Sequence, residues 1–107
     1  MNESLLMDRV RLVLGSDPAG VWFRNNTGVA NQRGHMVRYG LGNGSADLIG
    51  LFRGHFVAVE IKTPIGRQSE DQRRWQALIE AKQGMYVIVR SEDDARALLA
   101  EMHRRWP

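Results

Sequence analysis

The chain has no cysteine among its 107 residues, which removes a disulfide framework and any thiolate metal site. Its first residues, MNESLLMDRV, lack a basic lead followed by a long apolar stretch, so no secretory signal is expected. No apolar run approaches the roughly 20 residues that cross a bilayer. These absences predict an intracellular, cytoplasmic protein with no membrane partner. Repeats, low-complexity tracts and linkers are missing too, so residues 1–107 read as one domain. The three histidines, His35, His55 and His103, are scattered, and none has a second histidine at metal-ligand spacing, which argues against zinc. Lysine is also scarce. Only Lys62 and Lys82 are lysines among fifteen basic residues, against twelve acids and a net charge of +3. The arginines suit bidentate contacts to phosphate, although a composition bias would produce them equally well.

What is present is ordinary globular composition, with 43% hydrophobic and 25% charged residues. Glu3, Met7, Val10 and Leu14 share one face at helical spacing, with Leu6 and Val13 beside them, and predict a helix from Glu3 to Leu14. Gly15-Ser16-Asp17-Pro18 ends it. Val21-Trp22-Phe23 predicts a short strand, Asn25-Asn26-Thr27-Gly28 a turn, and His35 to Tyr39 a further strand. Gly40, Gly42 and Gly44 mark a loop. Asp47–Phe52 and His55–Lys62 are both strand-like and are separated only by Arg53-Gly54, the pattern of a tight hairpin. Ser69 with Gln72 forms a capping box. The helix it opens carries Trp75, Leu78, Ile79 and Lys82 at helical spacing, with Trp75 expected to face the core, and Gly84 stands at its C-terminal cap. Met85 to Val89 is an apolar run typical of a buried strand. Ser91 caps a last helix with Ala95, Leu98, Leu99 and Met102 on its inner stripe. The order predicts an α/β fold with a mixed sheet flanked by helices.

The hairpin creates a candidate site. With Arg53-Gly54 as its turn, Phe52 pairs with His55, and the same register sets Asp47 opposite Glu60. Directly paired residues have Cβ atoms about 4.5–5.5 Å apart. Two carboxylates that close repel unless a cation lies between them, and magnesium favours such oxygen ligands. Glu60 and Lys62 are two apart and share a face, whereas Val57, Val59 and Ile61 point into the core. The Ile61 carbonyl lies between the acid and the ammonium and is a further candidate ligand. The competing reading of Glu60 and Lys62 is a surface ion pair on a solvated sheet face.

At these residues the sequence resembles the VRR-NUC family of the PD-(D/E)xK nuclease superfamily. The resemblance rests on Gly44-Ser45-Ala46-Asp47-Leu48, on Glu60-Ile61-Lys62 and on Gly66-Arg67-Gln68-Ser69-Glu70-Asp71-Gln72. Arg24-Asn25-Asn26-Thr27-Gly28 resembles a stretch of small phage members. The resemblance implies a restriction-endonuclease-like core of order αβββαβ. It implies magnesium or manganese held by Asp47 and Glu60, a Lys62 that orients or deprotonates the attacking water, and an active-site role for Gln72. It also suggests an acid on the first helix, here Glu3. Ala46 departs from the usual proline before the aspartate, a change expected to alter loop stiffness more than chemistry. Stand-alone members are similar to Holliday-junction resolvases and act as homodimers, so the resemblance implies a structure-selective endonuclease on branched DNA, in repair or recombination.

Other residues carry two readings. Gln72 serves the capping box and also faces inward, and Glu3 suits a helix N-terminus with no further role. Arg24, Asn25, Asn26, Arg67 and Arg73 are candidate DNA contacts, with a solvated helix face as the alternative for the last two and for Arg74. His55, at the turn, is expected to be solvated. Trp22, Trp106 and the apolar part of 29–39 are candidate dimer contacts. Two other function classes compete with the nuclease: a non-catalytic nucleic-acid-binding module that keeps the fold, and a structural dimerisation domain.

Overall fold

The computed structural model describes residues 2–107. The chain runs α1 (Glu3–Gly15), β1 (Gly20–Arg24), β2 (Gly28–Gln32), β3 (His35–Tyr39), β4 (Leu48–Phe52), β5 (His55–Ile61), α2 (Glu70–Ala81), β6 (Met85–Val89) and α3 (Glu92–Arg105). Two turns made from one dipeptide organise the middle of it. Arg33 and Gly34 have φ of 53° and 82°, and Arg53 and Gly54 have φ of 49° and 85°. Positive φ at both central residues is the hairpin turn that matches strand twist. One turn joins β2 to β3 and the other joins β4 to β5.

Four strands form a mixed sheet in the order β1-β4-β5-β6, and β2-β3 forms a separate ribbon. β1, β4 and β5 are antiparallel neighbours, while β5 and β6 are parallel. A parallel step needs a crossover, and α2 supplies it. On one sheet face, Leu6, Val10 and Leu14 of α1 and Ala95, Leu98 and Met102 of α3 bury Leu48, Phe52, Val57, Val59 and Ile61. On the other face Trp75 and Ile79 of α2 pack over Ala46, Ala58 and Tyr86. The face opposite Val57, Val59 and Ile61 is therefore a second packed layer, not the solvated surface that the ion-pair reading requires.

The caps follow the sequence closely. Asn2 accepts from the Leu5 amide, Ser69 and Gln72 complete the capping box, and Ser91 accepts from the Asp94 amide. Two expectations are corrected. Gly28 opens β2, and residues 25–27 before it form an irregular link rather than the predicted turn. At the end of α2 the left-handed residue is Gln83, with φ 68°. Gly84 follows one position later and donates to the Ile79 carbonyl at 2.9 Å. A Cβ on Gly84 would lie 2.7 Å from Ile79 Cγ2, so its lack of a side chain, not its backbone freedom, is what the end of α2 uses. Leu78 points outward and is 53% exposed, because α2 covers the sheet only with its Trp75–Ile79 edge.

Candidate active site

The register deduced from the Arg53-Gly54 turn is the observed one: Phe52 pairs with His55 and Leu48 with Val59. Asp47, one residue before β4, therefore meets the end of β5. Its Oδ2 accepts from the Ile61 amide at 2.7 Å. Ile61 thus turns its amide toward Asp47, and in a strand the carbonyl of the same residue points to the same side.

Glu60 is 2% exposed. Its Oε1 accepts from Gln72 Nε2 at 2.9 Å, while its Oε2 is buried without a hydrogen-bond partner. Burial pushes the Glu60 carboxyl up to about 8, and the neighbouring Asp47 pushes the same way; Lys62 opposes them. Glu3 is exposed at the start of α1 and adds a weaker repulsion to Glu60. Lys62, half-buried, donates its backbone amide to the Val89 carbonyl at 3.1 Å, which continues the parallel ladder past Ile61. Gln72 holds both of its sequence roles at once. Its Oε1 accepts from the Ser69 amide at 2.8 Å, which leaves Nε2 free for Glu60.

A buried carboxylate oxygen with no partner is costly; a proton relieves that cost, and so would a bound cation. The available donors are oxygens: two carboxylates and the Ile61 carbonyl. Among the described residues no group of three His, Cys, Asp or Glu forms. That small, all-oxygen set fits magnesium, which keeps several waters and takes few protein ligands.

The structure brings Arg24, Asn25 and Asn26 to the site. With Thr27, Tyr39, Met7 and Asp47 they line a cleft of about 460 Å³. Asn25, however, is committed to the protein itself. Its Nδ2 donates to Ser45 Oγ at 2.8 Å and to the Ala46 carbonyl at 2.9 Å, and its amide donates to the Asp47 carbonyl at 2.8 Å. Asn25 positions the aspartate loop. Arg67 and Arg73 are exposed and lie outside that cleft, and Arg73 binds the Gln68 carbonyl. Arg74 is paired with Glu70 and Asp71. Ala46 is fully buried, so its small size serves packing against Ala58 and Tyr86. His55 is exposed but stacks on Trp106 with centroids 4.2 Å apart.

Sequence reasoning missed Tyr86 and Arg90, and read Gly44 only as a loop glycine of the motif before Asp47. Tyr86 pairs with Ala58 across the parallel ladder and so lies on the Glu60 face; burial pushes its hydroxyl up to about 12, and it accepts from Gln68 at 3.2 Å. The period-2 pattern of 85–89 would have exposed it once the parallel register was known. Gly44, with φ 78°, lies so close to α2 that a Cβ would sit 2.3 Å from the Asp71 carbonyl oxygen; it locks the aspartate loop against the Gln72 turn. Arg90 donates to the carbonyls of Thr63 and Gly66, both at 2.7 Å, and fixes the loop that follows Lys62. No protein-family model matches this chain, and no curated protein matches it.

Proposed function

We propose that the chain is a magnesium- or manganese-dependent nuclease of the VRR-NUC type that hydrolyses phosphodiester bonds in branched DNA. The observation that carries this is the Glu60 carboxyl, buried beside Asp47, with Oε1 held by Gln72 and Oε2 left without a hydrogen-bond donor. A hydrogen-bonded structural acid would have both oxygens engaged. The order α1-β1-β4-β5-α2-β6, with β2-β3 as an insertion, supports a restriction-endonuclease-like core.

Asp47, Glu60 and the Ile61 carbonyl would hold the metal, which supplies polarisation of the scissile phosphate and a water of lowered pKa. Asp47 is aimed by the Ile61 amide, by Asn25 and by the packing of Gly44 on α2. Glu60 is aimed by Gln72, whose other atom is pinned by the capping box. Lys62 carries its ammonium to the same face, where it orients the attacking water and offsets charge that develops on the phosphate. The buried floor of Ala58 and Tyr86 excludes bulk water beneath the acids and strengthens these interactions.

A two-fold dimer would set one such site against each of two matching strands of a junction. Of the sequence candidates for its interface, Trp22 and Trp106 pack on the chain's own core, while the apolar side chains of 29–39 stay exposed. The better candidate is Val21, Phe23 and Leu51, which share one sheet face and are 47%, 55% and 47% exposed. The test is cleavage of four-way, flapped and linear DNA with magnesium or with chelator, alongside light scattering. Metal-dependent cutting of branched DNA by a dimer is expected. Cutting that persists in chelator overturns the metal mechanism, and a monomer equally active on linear duplex removes the junction reading.

A further inference from the structure

The β2-β3 ribbon stands apart from the four-stranded sheet. Its strands pair only with each other, and every residue in them is exposed except Gly28. Such a ribbon is marginal in water on its own. Apolar side chains remain on it uncovered: Val29 is 46%, Met36 70%, Val37 40% and Tyr39 50% exposed. Its charge is of one sign. Residues 18–46 contain Arg24, Arg33 and Arg38 but no acid, and the other twelve Lys and Arg are matched by the twelve acids elsewhere, so this segment holds the whole net charge of +3. None of the three arginines is in an ion pair among the described residues. Arg38 is braced by Asn43 at 2.9 Å, which fixes its direction without neutralising it.

We propose that the β2-β3 ribbon is a DNA arm that enters the major groove of a duplex and tracks its phosphates with Arg33 and Arg38. The inference rests on the nuclease reading for its biological setting, but the ribbon's shape and charge argue it separately. A five-residue strand is about 17 Å long and its neighbour lies about 5 Å away. The major groove, about 12 Å wide, admits a two-stranded ribbon. Met36, on the same ribbon face as Arg38, offers the apolar contact that thymine methyl groups accept. At the ribbon's base, Tyr39 and Thr27 line the same cleft as Asp47, so a duplex held by the arm runs to the acids. A second copy of the ribbon is a poor occupant: it would bring Arg33 and Arg38 against their own images with no acid to pair.

The test is fluorescence anisotropy on a labelled duplex in calcium, over a salt series, with the wild type and an Arg33→Asn/Arg38→Gln variant. Asn tolerates the left-handed backbone at the turn, and melting followed by circular dichroism checks that the variant folds. Each lost phosphate contact lowers the salt slope by about 0.9. The variant should therefore bind roughly tenfold more weakly, with a slope reduced by about two. A second measurement uses the wild type alone: guanine N7 atoms in the bound duplex should be protected from dimethyl sulfate. Equal affinity and slope in the two proteins, or unprotected N7 atoms, overturns the arm and leaves the nuclease reading standing. Slope loss and protection in a protein that cuts nothing with magnesium supports the arm and overturns the nuclease reading. A variant that only loses a dimer, with its slope unchanged, makes the ribbon a self-contact and overturns the proposal.

Discussion

Two hairpins in this chain turn on the same tripeptide, Arg33-Gly34-His35 and Arg53-Gly54-His55, with nearly the same turn angles and the same register. One is the centre of the sheet and the other stands outside the core. Their difference lies in what flanks the turn. β4 and β5 supply Leu48, Phe52, Val57, Val59 and Ile61, all fully buried; β2 and β3 supply Asn31, Gln32, His35 and Arg38, which cannot enter a core without partners. Turn chemistry sets the pairing, and flanking apolarity decides whether the pair becomes interior or appendage. The candidate acids stand at the open end of the buried hairpin, where a rigid scaffold holds them.

The sharpest way to break the comparison is to remove one apolar side chain from each hairpin. Phe52→Ala empties a fully buried position and should cost about 3–5 kcal/mol in denaturant unfolding. Met36→Ala on the ribbon should cost less than about 0.5 kcal/mol. Comparable costs would mean that the ribbon is part of the core.

The turns themselves come next. Gly54→Ala and Gly34→Ala force an alanine into the left-handed region at a local cost of about 1–2 kcal/mol. At Gly54 that strain should appear in the global unfolding free energy. At Gly34 it should appear as faster amide exchange in residues 28–39, with global stability unchanged. Equal global losses would show that the two hairpins unfold as one unit.

A separate test isolates the buried hairpin's acid. Glu60 holds its proton up to about 8 in the fold, against an ordinary value of 4.5. Between those values the native state binds more protons than the unfolded chain, so metal-free stability should be highest at the acid end and fall as pH rises through the window. Glu60→Gln keeps an oxygen for Gln72 and should remove that slope, read as the difference between the two unfolding curves across pH. Parallel curves would mean that Glu60 is ionised in the fold throughout.

Much of the site was legible because hairpin register is arithmetic: a two-residue turn at Arg53-Gly54 fixes which residue faces Glu60. The caps at Ser69 and Ser91 were legible for the same local reason. β2 was not, since Gly28–Gln32 lacks alternation and becomes a strand only through β3. Nor does strand periodicity reveal what covers each face. The lid of α2 over Ala58 and Glu60, the approach of Tyr86 and the Gln72 contact all depend on the crossover. Gln83 holds the left-handed position expected of Gly84, while Ile79 leaves the next site no room for a side chain.

Single-turnover cleavage of branched DNA in magnesium, with the wild type beside Asp47→Ala, Glu60→Ala and Lys62→Ala, tests the central claim most directly. Loss of several kcal/mol of transition-state stabilisation corresponds to about a thousandfold or more in rate for each variant, with DNA binding in calcium retained by Lys62→Ala and wild-type cutting abolished by chelator. A wild type that cuts no DNA with magnesium or manganese, or a folded Glu60→Ala protein that cuts at the wild-type rate, would contradict the account.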